Sequence, residues 1–187
     1  SNPVITESLR DARDRAPLPP VRTVTMLVGG RAIDASNSAT FERFSPVSGD
    51  LVTVAAAASL EDAAAAADAA AAAFPEWSQT APGHRRALLE RGAEILLSRE
   101  QDFTAAMMAE TGATRAWCGF NVGLSAKIFS EAAAATTQVG GAVIPSDMPG
   151  RTSFAWRQPA GVCLAIAPWN APVIPGVRAI AMALACG

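Results

Sequence analysis

The sequence predicts an α/β fold in which a parallel sheet begins near the C-terminal end of the chain. Three patterns support this prediction: a β-hairpin pattern in residues 41–58, a series of helical patterns between Ser59 and Thr137, and an apolar strand-turn-helix pattern in residues 160–187. A continuous apolar strand that leads directly into a helix is typical of a parallel sheet covered by helices. The 187 residues, of which 50% are hydrophobic, are sufficient for a core and for one or two domains.

The N-terminal part is expected to contain a polar arm followed by short strands. Residues 1–22 mix arginine, aspartate and proline, lack the apolar core of a signal peptide, and are expected to form a flexible arm. Thr23–Val28 is expected to be a strand that turns at Gly29–Gly30. The hairpin is expected to pair Phe41–Ser45 with Leu51–Ala55, because the Pro-Val-Ser-Gly-Asp segment between them has residues that tight turns favour.

The first helix is expected to begin after Ser59. A serine is a good N-cap, and Glu61 and Asp62 would meet the positive end of the helix dipole. An alanine-rich run follows, and Phe74-Pro75 is expected to end the helix.

Three more helices are expected before residue 142. One begins near Pro82; the next runs from about Glu100 to Glu110 and ends at Gly112; the third runs from about Thr114 to Thr137 and ends at Gly140–Gly141. In the helix near Pro82, four aliphatic residues are expected to form the buried face and five charged residues to lie mostly opposite: Leu88, Leu89, Ile95 and Leu96, and Arg85, Arg86, Glu90, Arg91 and Glu94.

The C-terminal part is expected to hold two strands and a helix. Thr152–Gln158 alternates as a strand does, and Gly161–Ala167 is a continuous apolar run, as expected of a strand buried on both faces. Pro172 is expected to open the last helix. In an alternative interpretation, residues 160–187 cross a membrane; three prolines within eight residues disfavour it.

Composition excludes several classes of function. The formal net charge of −2 offers no basic surface for nucleic acid or for an anionic membrane. Three separated cysteines and one histidine, His84, form neither a disulfide framework nor a metal cluster, so no metal is expected. These features are consistent with a cytoplasmic protein. His84 is expected at the surface, and Trp117 beside Cys118 in the core.

The segment from Pro159 to Pro172 carries the chemistry. Its loop follows a predicted parallel strand, where α/β folds bind ligands, and precedes a helix N-terminus, which offers free N–H groups. The side-chain amide of Asn170 is a neutral donor that could stabilise an oxyanion. The alternative role of Asn170 is the N-cap of the following helix, and the residues alone favour that alternative.

The same segment resembles the aldehyde dehydrogenase motif P-x-G-V-x-x-x-I-x-P-W-N-x-P, and it matches every fixed position of that motif. The likeness covers nearly all of the chain after the arm. It includes a hairpin similar to the family's "NPATG" type at Phe44–Gly49, the Phe-Pro-Glu-Trp at 74–77, and the Glu-Thr-Gly at 110–112. Among members of the family, the sequence of this segment most resembles that of the salicylaldehyde dehydrogenases, with vanillin and benzaldehyde dehydrogenases next.

The resemblance implies the N-terminal part of a Rossmann-like fold. Residues 23–150 would begin the cofactor-binding domain, residues 151–159 would contribute a strand to the oligomerisation element, and residues 160–187 would be the first strand-turn-helix of the NAD-binding core. It also implies a homodimer or homotetramer. Asn170 would help to form the oxyanion hole, and the loop along the nicotinamide ribose of NAD, or of NADP, would comprise Ile166, Ala167, Pro168 and Trp169.

The family's nucleophilic cysteine and general-base glutamate lie downstream of the matched region, so neither is expected within these residues. Cys163, in the predicted buried strand, and Cys186, in the last helix, are expected to be inert core thiols.

The resemblance also implies a wall of the aldehyde tunnel. Ile174 and Arg178 lie four and eight residues after Asn170, on one helix face, and Phe120 and Leu124 are candidates for the opposite wall. Arg178 could hydrogen-bond a phenolic oxygen, and the alternative for all four residues is ordinary packing or a solvated face. The expected function is oxidation of an aromatic aldehyde, salicylaldehyde first, to its acid; the alternative is an inactive fragment that acts only through association with other chains.

Overall fold

A computed structural model describes residues 20–187. The expected arm at residues 1–22 lies mostly outside the described residues. Its last residue, Arg22, is not part of an arm, because it begins the first described strand.

Five short strands form the N-terminal part: β1 (Arg22–Val24), β2 (Met26–Val28), β3 (Arg31–Ile33), β4 (Thr40–Phe44) and β5 (Leu51–Ala56). β5 is the central strand of a three-stranded sheet, antiparallel to β4 and parallel to β1. The predicted hairpin and the Gly29–Gly30 turn are confirmed, and both glycines have positive φ. The single strand expected at Thr23–Val28 is two strands that pair with different partners, β5 and β3.

Helix α1 (Leu60–Ser78) begins as the sequence predicts. The Ser59 side chain accepts a hydrogen bond from the Asp62 N–H, and the Asp62 carboxylate accepts one from the Ser59 N–H, which completes a capping box. The prediction that Phe74-Pro75 ends the helix is wrong, because α1 continues through Pro75 to Ser78. Proline removes one helical hydrogen bond, but Ala71 and Pro75 are both exposed, so water can satisfy the carbonyl that is left.

Asp62 also joins α1 to the loop after β3. Its carboxylate is buried and accepts hydrogen bonds from the Ser59 N–H at 2.8 Å, the Ser59 hydroxyl at 3.0 Å and the Ser36 N–H at 3.1 Å. The Ser59 backbone bond above all, together with the bonds from the Ser59 hydroxyl and Ser36, lowers the pKa of Asp62, although desolvation opposes the shift. The carboxylate is therefore a pH-dependent tie between two elements.

We expect this tie to weaken in acid. Because the pKa of Asp62 is lower in the folded than in the unfolded chain, the unfolded state binds more protons below about pH 4, and the stabilisation present above that pH is lost as pH falls through the folded pKa. The variant Asp62→Ala should show a smaller loss of stability as pH falls below about 4 in thermal unfolding scans. Asp68→Ala, an exposed position on the same helix, should behave as the parent does.

Three helices follow: α2 (Pro82–Ser98), α3 (Glu100–Thr111) and α4 (Arg115–Ala135). Gly112 ends α3 in the left-handed conformation at φ 67°, and Thr114 caps α4 by accepting from the Trp117 N–H. The expected starts and ends of these helices are confirmed to within one or two residues.

The predicted buried face of α2 is only half right. Leu89 and Leu96 are buried, whereas Leu88 and Ile95 are exposed by 46% and 41%. Arg85, expected on the polar face, is buried instead. The buried face is displaced around the helix from the predicted one. It comprises four residues spaced three or four apart, as one face of a helix requires: Arg85, Leu89, Ala93 and Leu96.

Two short strands, β6 (Ala142–Ile144) and β7 (Ser153–Ala155), form an antiparallel hairpin after α4. β7 lies within the N-terminal half of the strand expected at Thr152–Gln158, which is therefore shorter than predicted. β6 was not expected. Phe154 and the following Trp156 are exposed by 70% and 82%, so this hairpin presents large apolar side chains to its surroundings.

The core lies between α2, α4 and α5 (Val173–Cys186). It contains four nearly inaccessible alanines that we call the alanine seam: Ala132 and Ala133 on α4, and Ala181 and Ala185 on α5. Small side chains on both helices allow their axes to approach closely. Among the residues that the structure describes, none of the helices combines the length and apolar character needed to span a bilayer.

Candidate active site

The turn before α5 carries Asn170. The N-cap position of α5 belongs to Pro172, and no side chain forms a capping hydrogen bond there. The alternative role of Asn170 as the N-cap is therefore wrong, and its side chain is exposed. The first helical hydrogen bond runs from the Gly176 N–H to the Pro172 carbonyl, so the N–H groups of Val173 and Ile174 point out of the helix end without an intrahelical partner.

Residues Gly161–Ala167 do not form the buried strand that the sequence predicts. They run without regular secondary structure, and the side chains of Leu164 and Ile166 are exposed by 89% and 87%. A strand exists through its ladder of hydrogen bonds, and within residues 20–187 no strand pairs with this segment. For the same reason Cys163 is exposed rather than buried. Cys186, near the end of α5, is exposed as well, so the prediction that both are core thiols is wrong.

The residues expected along the cofactor lie in this open segment and in the turn. Ile166, Ala167, Pro168 and Trp169 are all exposed. Together with Asn170 they form an exposed segment, largely apolar, that leads into the N-terminus of α5. Such a surface can contact a flat ring and donate hydrogen bonds to an anionic or polarised oxygen.

The four residues expected along the aldehyde lie on two helices that pack together, α4 and α5. Phe120 is exposed and its ring stacks on that of Trp117, with 5.4 Å between centroids. Leu124 is half-buried, Ile174 is buried, and Arg178 is exposed. Trp117, expected in the core, is 43% exposed, while its neighbour Cys118 is buried.

A cavity of about 490 Å³ lies beside the first turns of α5, on a face of the helix that does not include Ile174 or Arg178. Its lining is mostly apolar, with Glu110 and Thr111 as the polar members, and it includes Val173, Gly176 and Val177 of α5 and Phe103 and Met107 of α3. Glu110 accepts a hydrogen bond from the Thr53 hydroxyl at 2.5 Å. Sequence reasoning did not identify this pair, because its members are 57 residues apart and belong to a helix and a strand.

A second cavity of about 430 Å³ lies between α1, the 161–165 segment and α5. Phe74 and Trp77 form its wall on α1, and Cys163 borders it. The indole Nε1 of Trp77 is buried without a hydrogen-bond partner in the described residues. Neither cavity includes Asn170 or the four aldehyde-wall candidates.

The buried thiol of Cys118 is unreactive. Burial raises its pKa, and the nearby Arg115 offsets only part of that shift. A thiol with a raised pKa is a poor nucleophile near neutral pH, so Cys118 is a packing residue.

Arg85 is a buried residue that sequence reasoning placed on the surface. Its Nε donates to the Ala185 carbonyl at 3.2 Å, and its Nη1 donates to the Thr80 carbonyl. The guanidinium therefore joins α2 to the last turn of α5. Only the displacement of the buried face around α2 could have indicated this residue.

Comparison with known proteins decides the family. The sequence profile of the aldehyde dehydrogenase family matches residues 33–187. The chain belongs to the aldehyde dehydrogenase family. The resemblance found in residues 159–172 and the predicted α/β fold, as the N-terminal part of that architecture, are both confirmed.

This aldehyde dehydrogenase chain is similar to several characterised members. It is 59% identical over 164 residues to a vanillin dehydrogenase of Pseudomonas sp. strain HR199, covering 88% of the chain and 34% of the relative. It matches the crystal structure of a salicylaldehyde dehydrogenase from Pseudomonas putida G7 complexed with salicylaldehyde, with TM-score 0.87, 41% identity, and coverage of 88% and 34% of the two chains.

An aldehyde dehydrogenase of lower sequence identity matches with a similar TM-score. The NAD-dependent enzyme from Sinorhizobium meliloti matches with TM-score 0.88 and 27% identity over 92% of this chain and 35% of that chain. The chain thus spans about a third of the length of the relatives it matches.

Proposed function

We propose that the protein to which this chain belongs oxidises an aromatic aldehyde to its carboxylic acid and reduces NAD+, or NADP+, in the process. The observation that carries the proposal is the exposed side-chain amide of Asn170, which does not cap α5 and lies in the turn before the N-terminus of that helix. Two of the similar proteins, a vanillin and a salicylaldehyde dehydrogenase, support an aromatic aldehyde as substrate.

In this proposal Asn170 stabilises the oxyanion. When a nucleophile adds to the aldehyde, negative charge grows on the carbonyl oxygen. A side-chain N–H placed beside that oxygen before the reaction stabilises the charge without reorganising solvent. The amide of Asn170 has no intrahelical task, so it is available for this role.

The segment from Ile166 to Trp169 would hold the nicotinamide end of the cofactor. The fit rests on the exposed side chains of Ile166 and Trp169 and on a backbone that forms no ladder within the described residues. The bound nicotinamide supplies the acceptor for hydride. The residues of this chain would orient the aldehyde and help to exclude water from the reacting carbon. We propose NAD as the cofactor, with NADP as the alternative; the similar solved structures include both an NAD-dependent and an NADP-dependent enzyme.

Two groups of this chain are poorly suited to act as the nucleophile and the general base of the proposed reaction. Cys118 is buried with a raised pKa, and Glu110 is engaged by Thr53. We propose that a cysteine thiolate and a glutamate from elsewhere in the protein complete the site. We also propose that residues 23–150 and 160–187 contribute to the cofactor-binding domain, and that residues 151–159 contribute to self-association as a dimer or tetramer.

The direct test measures NADH or NADPH formation by the purified protein with salicylaldehyde, vanillin and benzaldehyde. Oxidation of all three, with higher kcat/KM for the two phenolic aldehydes, would support the proposal. Absence of turnover with any aromatic aldehyde under either coenzyme would refute it.

Arg178 is proposed to contact the phenolic oxygen. It is exposed, one turn beyond the buried Ile174 on α5. We expect Arg178→Ala to lower kcat/KM for salicylaldehyde by about ten-fold or more, since a hydrogen bond to a charged group contributes about 1.5–3 kcal/mol. The loss for benzaldehyde, which has no phenolic oxygen, should be much smaller.

Arg91→Ala serves as the control for this measurement, because Arg91 is an exposed cation in a surface ion pair with Glu94. Arg91→Ala should leave kcat/KM unchanged for both salicylaldehyde and benzaldehyde. Equal losses for both aldehydes in Arg178→Ala would assign Arg178 to packing instead of substrate contact.

A further inference from the structure

Arg85 is an unusual buried charge in this chain. Only 6% of the residue is exposed, and in the part of the chain that the structure describes no carboxylate lies within ion-pair distance of it. A buried cation without a counter-ion is unfavourable unless its donors are satisfied. Here two of the guanidinium N–H groups donate to backbone carbonyls, those of Ala185 and Thr80.

The contact with Ala185 joins α2 to α5. The Ala185 carbonyl accepts from Arg85 Nε, and α5 has no basic residue of its own in the turn to which Ala185 belongs. A guanidinium from α2 therefore supplies the cation beside this turn. Its planar fork donates to two carbonyls at once, which an ammonium group does with less directional precision.

The opposite end of α5 carries the proposed site. Asn170 lies three residues before the first helical residue, Val173, and the 14-residue helix spans about 21 Å. α5 has no side-chain cap and no acidic residue in its first turn, so nothing on the helix itself fixes its N-terminal end. Its axial position depends on the alanine seam and on the Arg85 contact.

We propose that Arg85 is a positioning residue for the oxyanion donor. By holding the C-terminal end of α5 against α2 and against the turn at Thr80, it sets how far the N-terminal end extends, and with it the place of the Asn170 amide. The proposal rests on the proposed function, because it assigns Asn170 a task that only aldehyde oxidation reveals. A displacement of about 1 Å at the reacting group is enough to slow the chemical step considerably.

The test is a double-mutant cycle in the complete protein, with an aromatic aldehyde and NAD+. Arg85→Lys keeps the charge but loses the fork, and we expect kcat to fall about ten-fold, with KM for the aldehyde changed by less than about two-fold. In the Asn170→Ala background, Arg85→Lys should lower kcat by less than about two-fold, because the donor that Arg85 positions is already absent. Arg86→Lys, at the exposed neighbouring arginine, should leave kcat unchanged.

Additive losses in the cycle would overturn the positioning role and leave Arg85 a purely structural residue. If Arg85→Lys does not fold, Arg85→Gln carries the same cycle, because its amide can donate to one carbonyl without charge. Failure of both variants to fold would also count against the proposal. If Asn170→Ala by itself has no effect on kcat, the role of Asn170 fails, and this result is distinct from additivity.

Discussion

Replacing Asn170 with alanine should lower kcat for aldehyde oxidation by about 10²- to 10³-fold, the usual cost of removing one preorganised oxyanion donor. The exposed amide forms no cap on α5, so its removal should leave the helix intact. KM for the aldehyde should change little, because the interaction strengthens only as charge develops. Steady-state kinetics with benzaldehyde and NAD+, together with a thermal melt, separate these effects.

Asn37→Ala is the matched control for this prediction. Asn37 lies in a surface loop, where its side chain accepts a hydrogen bond from the Ala39 N–H. Its loss should not affect kcat. If Asn170→Ala retained kcat within about two-fold of the parent, the amide would not face the reacting oxygen, and the proposed reaction would lose its main support.

Replacing Leu89 with alanine should lower the free energy of unfolding substantially. Leu89 is 3% exposed and belongs to the core cluster shared by α2, α4 and α5. Truncating such a side chain removes buried apolar surface and leaves a cavity, which together cost about 2–5 kcal/mol of the free energy of unfolding. Denaturant unfolding of the variant and the parent measures this difference.

The neighbouring leucine provides a close control. Leu88 is 46% exposed on the same helix, and Leu88→Ala should change the free energy of unfolding by no more than about 0.5 kcal/mol. Equal losses at the two positions would mean that the buried face of α2 includes both, as the sequence pattern predicted.

Local signals were sufficient for much of the fold. The cap at Ser59, the left-handed glycine at 112 and the turn glycines at 29 and 30 depend on neighbouring residues, so they could be read directly from the sequence. Pro75 shows the limit of that approach. A proline usually ends a helix, but here an exposed position and a strong helical context outweigh the loss of one hydrogen bond.

Features that depend on distant partners were not predictable in the same way. The buried side of α2 depends on where α4 and α5 pack, so Arg85 and Leu88 were assigned to the wrong sides. The 161–167 segment has the composition of a buried strand, but composition does not supply the strand that must pair with it. The motif around Asn170 could be recognised from the sequence, whereas the absence of a cap there required coordinates.

The alanine seam has a consequence for redesign of substrate range. Ala181 and Ala185 have no accessible surface, so a bulkier residue at either position would force two backbones apart and move the whole N-terminal end of α5. Arg178, on the same helix but exposed, can be varied without that displacement. A mutant library should therefore vary exposed positions such as Phe120 and Arg178 and keep the alanine seam unchanged. Substitutions at the exposed positions can alter substrate selectivity without moving the N-terminal end of α5.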